Sequence, residues 1–357
     1  MSGSSLDGMD IAFVELEEKG GKWSYRILEA VCFSYDESWT GKLLNASSLT
    51  ASEFVKLHAD FGHLTGEMVN RFIHEKKLDY KVGLISSHGH TVFHVPGSHT
   101  VQIGDGAAIA AKTSLPVVSD LRALDVALGG QGAPIVPMGE KLLFSDHRYF
   151  LNIGGIANIS YNAINGYDAF DVCPANRVLN MLAASRELSF DKDGILASAG
   201  RIDETLLDKL NALEYYRMDF PKSLANEFGT DIIYPIIANT TISDEDKLAT
   251  YVEHIAIQLG ASVEMILSRR KQSPREEKML ITGGGALNDY LVSRIAHHLA
   301  PFGINTEVPD EQTIQYKEAL IMALLGVLRW REEETVIQSV TGAKRASIGG
   351  ALWMGSN

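Results

Sequence analysis

A phosphate oxygen needs several donors converging on it, and a glycine-rich turn, free of Cβ atoms, lets the backbone approach with successive N–H groups aimed inward. Three stretches of this chain have that character. Residues 2–10, SGSSLDGMD, combine Gly3 and Gly8 with the hydroxyls of Ser4 and Ser5, the backbone of Leu6 and Met9, and the carboxylates of Asp7 and Asp10. Such hard oxygens suit magnesium. Residues 151–160, LNIGGIANIS, place Gly154, Gly155 and Asn158 where two apolar runs meet. Residues 281–288, ITGGGALN, set Gly283, Gly284 and Gly285 between a strand and a helix, followed by Asn288. A helix N-terminus there favours a phosphate or the flat face of a nucleoside. Each stretch also has a plainer reading, since Asp-Gly signals a hairpin and three glycines suit a tight strand-to-helix turn. Neither a G-x-x-x-x-G-K-[ST] loop nor a G-x-G-x-x-G opening a first βα unit is found, so two hairpin turns and a late triple glycine point instead to a nucleotide clamped by two similar domains.

Two other groupings resemble metal sites and fail as such. His88, His90 and His94, with His99 beyond, alternate along a strand, but no Glu or Cys at ligand spacing completes a zinc set. In DKDG, residues 191–194, the glycine stands fourth where a calcium loop needs it sixth, and Ile202 occupies the position of the bidentate Glu. No metal held by protein ligands alone is expected.

The elements that must position these turns can be read from periodicity. Ile11 to Glu18 reads as a strand, Gly20 and Gly21 as a hairpin turn, and residues 23–35 as a second strand. Apolar residues from Phe54 to Phe72 recur at helical spacing, with Ser52 as a cap. Strands follow at VGLISS (82–87), before QIGDG and at 117–120, with a small-residue helix before the last. A second module opens at 149–162 with the same strand, turn, strand pattern and continues through AFDV into mostly helical sequence. In one of its helices, Val252, Ile255, Leu259, Val263, Ile266 and Leu267 share a face, read as core, with a surface for a second copy of the chain as the alternative. A strand at 278–281 leads into the triple glycine, and the last strong helix spans 316–330. The expected domains are 1–125 plus about 335–357, and 126–334, with the Gly- and Pro-rich residues 125–147 as the crossing.

The 357 residues suffice for two domains with real cores. Acidic residues outnumber basic ones, 45 against 32, for a net charge of −13, so nucleic acid is not expected as a partner. No apolar run approaches the roughly 18 residues that span a bilayer, and the opening residues lack a cationic stretch ahead of an apolar one. A cytoplasmic protein without membrane partners is expected. Cys32 and Cys173 form no metal or redox motif and read as free thiols.

The ordered strings SGSSLDGMD, SHGHTVFH, QIGDGAAIA, SDLRALDVALGGQGAPIVP, NIGGIANIS, AFDVCPAN, DKDGILASAG, ITGGGALN and YKEALIMA resemble those of the anhydro-N-acetylmuramic acid kinases. That family belongs to the actin, sugar kinase and heat-shock ATPase superfamily. The resemblance implies a two-lobed α/β fold of the ribonuclease H-like (actin/hexokinase) type with a central nucleotide cleft. It implies an enzyme of cell-wall sugar recycling that uses ATP and Mg2+ to open the 1,6-anhydro bridge of its sugar with water and phosphorylate the freed O6, giving N-acetylmuramic acid 6-phosphate. On the same basis Asp171 is the base that activates the water, Arg122 and Glu318 face the sugar, and His88 and Gln102 make sugar-side or structural hydrogen bonds. The three glycine turns would hold ATP.

The chain also departs from its family. Relatives carry a complete strand before the first motif where here only Met1 precedes Ser2, so that turn is expected to be held from one side only, with ATP affinity in question. Relatives usually read Lys-Ser-x-Gly-Arg-Glu where this chain has Ala225 and Asn226, which removes a guanidinium. The second functional reading, prompted by these departures, is a nucleotide-binding homologue acting as a sensor or partner.

Overall fold

The computed structural model describes residues 1–3, 6–163 and 166–355. The chain is mixed α/β and divides into two compact units, Met1–Ser145 with Tyr316–Asn357, and Asp146–Gln315. Residues 126–145 and 316–334 therefore pack with the first unit, whereas the sequence reading joins them to the second. The reason is local packing. Gly139, in the helix Val136–Leu143, lies so close to Ile321 that a Cβ there would overlap its side chain, and the adjacent Glu140 and Lys317 form a buried ion pair at 3.3 Å.

In the first unit, β1 (Gly8–Lys19) and β2 (Lys22–Ser34) form an antiparallel ribbon turned by Gly20 and Gly21, both at positive φ, the region that glycine alone enters without strain. The long helix Ala51–Glu75 follows. Its cap is Thr50, two residues ahead of the expected Ser52, because Glu53 reaches back to bond the Thr50 hydroxyl and N–H in a capping box. β3 (Ile85–Ser86) and β6 (Val117–Ser119) run parallel, while β4 (His90–Val95) and β5 (His99–Ile103) make a separate ribbon. The six-residue strand expected at 82–87 shrinks to two because β6, its ladder partner, is itself only three residues long.

The second unit is built on one sheet. β7 (Tyr149–Ile153) and β8 (Ile156–Ala163) are joined through Gly154 and Gly155, and β9 (Gly166–Pro174) returns antiparallel beside β8. β10 (Glu277–Thr282) pairs parallel with β7 and with β11 (Ile304–Glu307), giving the order β11-β10-β7-β8-β9. The helix Asp244–Arg270 crosses this core. Val252, Ile255, Leu259, Val263 and Ile266 are fully buried in it, so that face serves the unit's own core and offers nothing to a second copy. The remaining strand, β12 (Ala351–Trp353), lies in the first unit, antiparallel to β6.

Leu151 lies at the centre of the second unit's sheet with no exposed surface. Leu151→Ala should therefore cost about 2–5 kcal/mol, read from urea unfolding of the intact chain, with little change in the slope of the transition.

Candidate functional site

In the second unit the register of β8 on β9 sets Asn158 directly opposite Asp171, so both side chains leave the same face of the sheet. Asp171 Oδ2 accepts the Leu224 N–H at 2.9 Å, its own N–H donates to the Lys222 carbonyl at 3.2 Å, and its carbonyl accepts the Tyr215 hydroxyl at 2.6 Å. Backbone and carboxylate are thus both fixed, while Oδ1 has no hydrogen-bond partner among the described residues. Burial raises the carboxyl pKa above its ordinary value, and the Leu224 N–H opposes the shift. A fixed carboxylate with one free oxygen and raised basicity is suited to taking a proton from water. Asp171 is not a helix cap: the helix Asn176–Ala183 has Ala175 at its N-cap position and no side-chain cap.

Next to it, two glycine turns converge. A Cβ on Gly285 would overlap Ile153, and one on Gly283, at φ +82°, would lie 2.7 Å from the Asn152 side chain. Only glycine lets the end of β10 close on the end of β7. Asn176 joins the two turns, its Nδ2 donating to the Ile153 carbonyl at 3.0 Å while its side chain fills the space that a Cβ on Gly285 would need. The Gly154 and Gly155 carbonyls accept the Asn176 and Ala175 N–H groups at 3.0 and 2.8 Å. Asn288 has a different part from its neighbours. Its side chain caps the helix Asp289–Leu299 through the Leu291 N–H at 2.9 Å. The DKDG loop packs against it, with Gly194 in close contact and Asp191 accepting the Leu196 and Ala197 N–H groups, each at 2.9 Å.

In the first unit, Arg122 organises the polar groups. Its Nε donates to His88 Nε2 at 2.9 Å and its Nη1 to the Gly132 carbonyl at 2.8 Å. His88 in turn donates from Nδ1 to the Gly89 carbonyl at 3.0 Å. Burial, and then the Arg122 charge, push the His88 pKa down to about 3, so the ring is neutral and holds the guanidinium as an acceptor. Burial also lowers the Arg122 pKa, and the nearby Glu318 carboxylate offsets part of that. Glu318 is exposed and sits two residues beyond a break in helical dihedrals at Tyr316, in the first turn of the helical segment that follows the break, where a carboxylate is also favoured by the helix dipole. Gln102 is buried, with its amide donating to Thr100 Oγ1 at 2.8 Å. Asp125, fully buried, accepts the Gly132 N–H and the Thr341 hydroxyl, both at 2.7 Å, and so anchors the loop that Arg122 touches.

The first glycine turn is tied on both sides, contrary to expectation. Ser2 bridges antiparallel to Met9 and parallel to His90, and the Tyr35 hydroxyl donates to its Oγ at 2.7 Å. Leu6 adopts a positive φ, and Gly8 packs against the Phe33 carbonyl where a side chain would not fit. Ser4 and Ser5 lie outside the described residues. Burial raises the Asp10 carboxyl pKa despite a hydrogen bond from the Cys32 thiol, whose own pKa rises to about 12. The histidines are spent separately: His90 Nδ1 bonds Ser2 Oγ at 3.0 Å and His94 Nδ1 bonds Thr100 Oγ1 at 3.1 Å. Among the described residues, no group of three or more His, Cys, Asp or Glu side chains is arranged to hold a metal ion.

Residues 1–355 match the family model for anhydro-N-acetylmuramic acid kinase. The chain belongs to that family. It is 32% identical to the anhydro-N-acetylmuramic acid kinase of Pseudomonas syringae pv. tomato, covering 99% of this chain and 97% of the relative. The enzymes of that name from Caldanaerobacter subterraneus and Gloeobacter violaceus are 31% and 32% identical, covering 99% and 97% of this chain and 95% of each relative.

Five contributors were not assigned from sequence. Asp125 and Asn176 stand inside the quoted motifs, three residues after Arg122 and five after Asp171, and that proximity was the available signal. Lys222 and Leu224 lie in the stretch that departs from Lys-Ser-x-Gly-Arg-Glu, but both act through backbone groups that any residue supplies, and Tyr215, in the short helix Glu214–Arg217, carries no signal.

His88 is neutral when folded, at a pKa of about 3, and ordinary near 6.5 when unfolded. Its contribution is therefore complete above pH 6.5 and lost as pH falls from there toward 3. His88→Gln keeps an acceptor for Arg122, and stability measured from pH 7 to 4 should fall less steeply than in the parent.

Proposed function

We propose that this kinase cleaves and phosphorylates 1,6-anhydro-N-acetylmuramic acid in one coupled reaction with ATP, with Asp171 as the general base. Asp171 takes a proton from water as the water oxygen bonds to the anomeric carbon, the C1–O6 bond breaks, and O6 takes the γ-phosphoryl group, releasing ADP and N-acetylmuramic acid 6-phosphate. The observation that carries this reading is the carboxylate itself: one oxygen fixed by the Leu224 N–H, the other free, and the pKa raised by burial. Such a base contributes on the order of 10²–10⁴-fold in rate.

Arg122, preset by neutral His88 and the Gly132 carbonyl, would bind the sugar's carboxylate with the rest of its guanidinium. Glu318 would accept from sugar hydroxyls, and Gln102, bonded through Thr100, would support that polar region. The backbone of the turns at 3–10, 154–155 and 283–285 would hold ATP, with Asn158 beside Asp171 and Asn288 supporting the third turn from its cap position. Magnesium fits the hard oxygens of Asp7 and Asp10, and when bound it would neutralise charge on the transferring phosphates while keeping much of its water shell. The sensor reading has no observation in its favour. No helix among the described residues is long and apolar enough to cross a membrane; a cytoplasmic setting, where ATP is supplied, is part of the same proposal.

Asp171→Asn should leave ATP binding and thermal stability near those of the parent while sugar-dependent ADP release falls by about 10²–10⁴-fold. Equal turnover in mutant and parent would remove Asp171 from the chemistry. In the parent, kcat/KM should fall as pH drops through the raised Asp171 pKa, since the protonated acid cannot accept the water's proton, and Asp171→Asn should lack that acidic limb.

A further inference from the structure

In the turn that joins β7 to β8, the acceptors are spent and the donors are not. The Gly154 and Gly155 carbonyls take the Asn176 and Ala175 N–H groups, which ties the turn to the start of the helix Asn176–Ala183. Among the described residues, neither the Gly154 N–H nor the Gly155 N–H finds an acceptor. Gly155 is exposed and Gly154 partly so, which leaves both within reach of a ligand. The fold itself does not ask for glycine at either place. Neither residue has a positive φ, and a Cβ on either would meet its neighbours at no less than 3.6 Å, an ordinary contact. Gly283 and Gly285 are different, since packing alone explains them. What the missing side chains at 154 and 155 provide is open space over two free amides.

Beside that space stands Arg177, one residue past the AFDVCPAN string. Its Cβ and its Nε both lie 3.8 Å from the point a Gly155 Cβ would occupy, so the stem passes over the glycine and keeps the guanidinium at the turn. Arg177 is exposed and makes no hydrogen bond, ion pair or ring contact among the described residues. Its counterparts in the same unit are occupied: Arg186, Arg270, Arg275 and Arg294 bond carboxylates, and Arg148 and Arg269 bond carbonyls.

We propose that Arg177 is a further substrate-binding residue of this kinase, whose guanidinium joins the free N–H groups of Gly154 and Gly155 in binding phosphoryl oxygens of ATP. This rests on the reading that the glycine turns hold the nucleotide. Amides of adjacent residues supply partial positive charge and close approach, but no net charge. A guanidinium adds a full charge and a fork of donors matched to two oxygens of one phosphoryl group. In a chain of net charge −13, an arginine held at the turn without a carboxylate partner offsets locally the repulsion that a polyphosphate meets.

The test compares the intact parent chain with Arg177→Met, which keeps a stem over Gly155 and removes the charge, and Arg177→Lys, which keeps stem and charge but loses the fork. Affinity for ATP with Mg2+ is measured by titration calorimetry without sugar, at low and at high salt, together with the thermal midpoint. At low salt Arg177→Met should bind ATP at least tenfold more weakly than the parent, with Arg177→Lys between them and all three midpoints alike. The gap between parent and Arg177→Met should narrow at high salt, because ions screen an exposed charge pair. Equal ATP affinity in parent and Arg177→Met overturns the proposal, and so does a loss that salt leaves unchanged, which would make Arg177 a support for the turn and not a partner of phosphate. A parent that binds no ATP at all overturns the reading of the turns as the nucleotide site, so the two failures are told apart.

Discussion

Nothing larger than hydrogen fits at Gly283 and Gly285, and the second unit's candidate site depends on that. A side chain at either position would strike Asn152 or Ile153 and push the end of β10 away from the end of β7. With both strands ending together, one amide, Asn176, spans the two turns and bonds the Ile153 carbonyl. From β7 the ladder passes to β8 and then β9, which sets Asn158 opposite Asp171. The glycines are thus part of what locates the carboxylate, through a chain of backbone contacts with little freedom to adjust.

The first unit uses burial to the same end by a different route. A guanidinium half-withdrawn from water is costly unless its donors are met, and here a neutral imidazole and a carbonyl meet two of them. Protonated His88 would repel Arg122, so the depressed His88 pKa and the preset Arg122 are two aspects of one arrangement. Asp125 completes it from below by holding the Gly132 N–H and Thr341. A single buried carboxylate therefore governs where the Gly132 carbonyl stands, and with it the direction of the guanidinium.

Much of this was legible in the sequence because it rests on period and on glycine. The alternation in β1, the helical spacing after Thr50 and the doublets at 20–21 and 154–155 all appear as elements close to where they were expected. Family motifs carried the candidate residues. What was not legible depends on contacts between distant segments. No local pattern marks the Leu224 N–H as the group that fixes Asp171, because any residue supplies that donor. Nor does the run 82–87 reveal that it forms a two-residue strand, since its apolar character is that of a strand buried with partners on both edges. The division of the chain followed the same logic: the run at 125–147 has the composition of a crossing, yet the fit of Gly139 against Ile321 keeps it with the first unit.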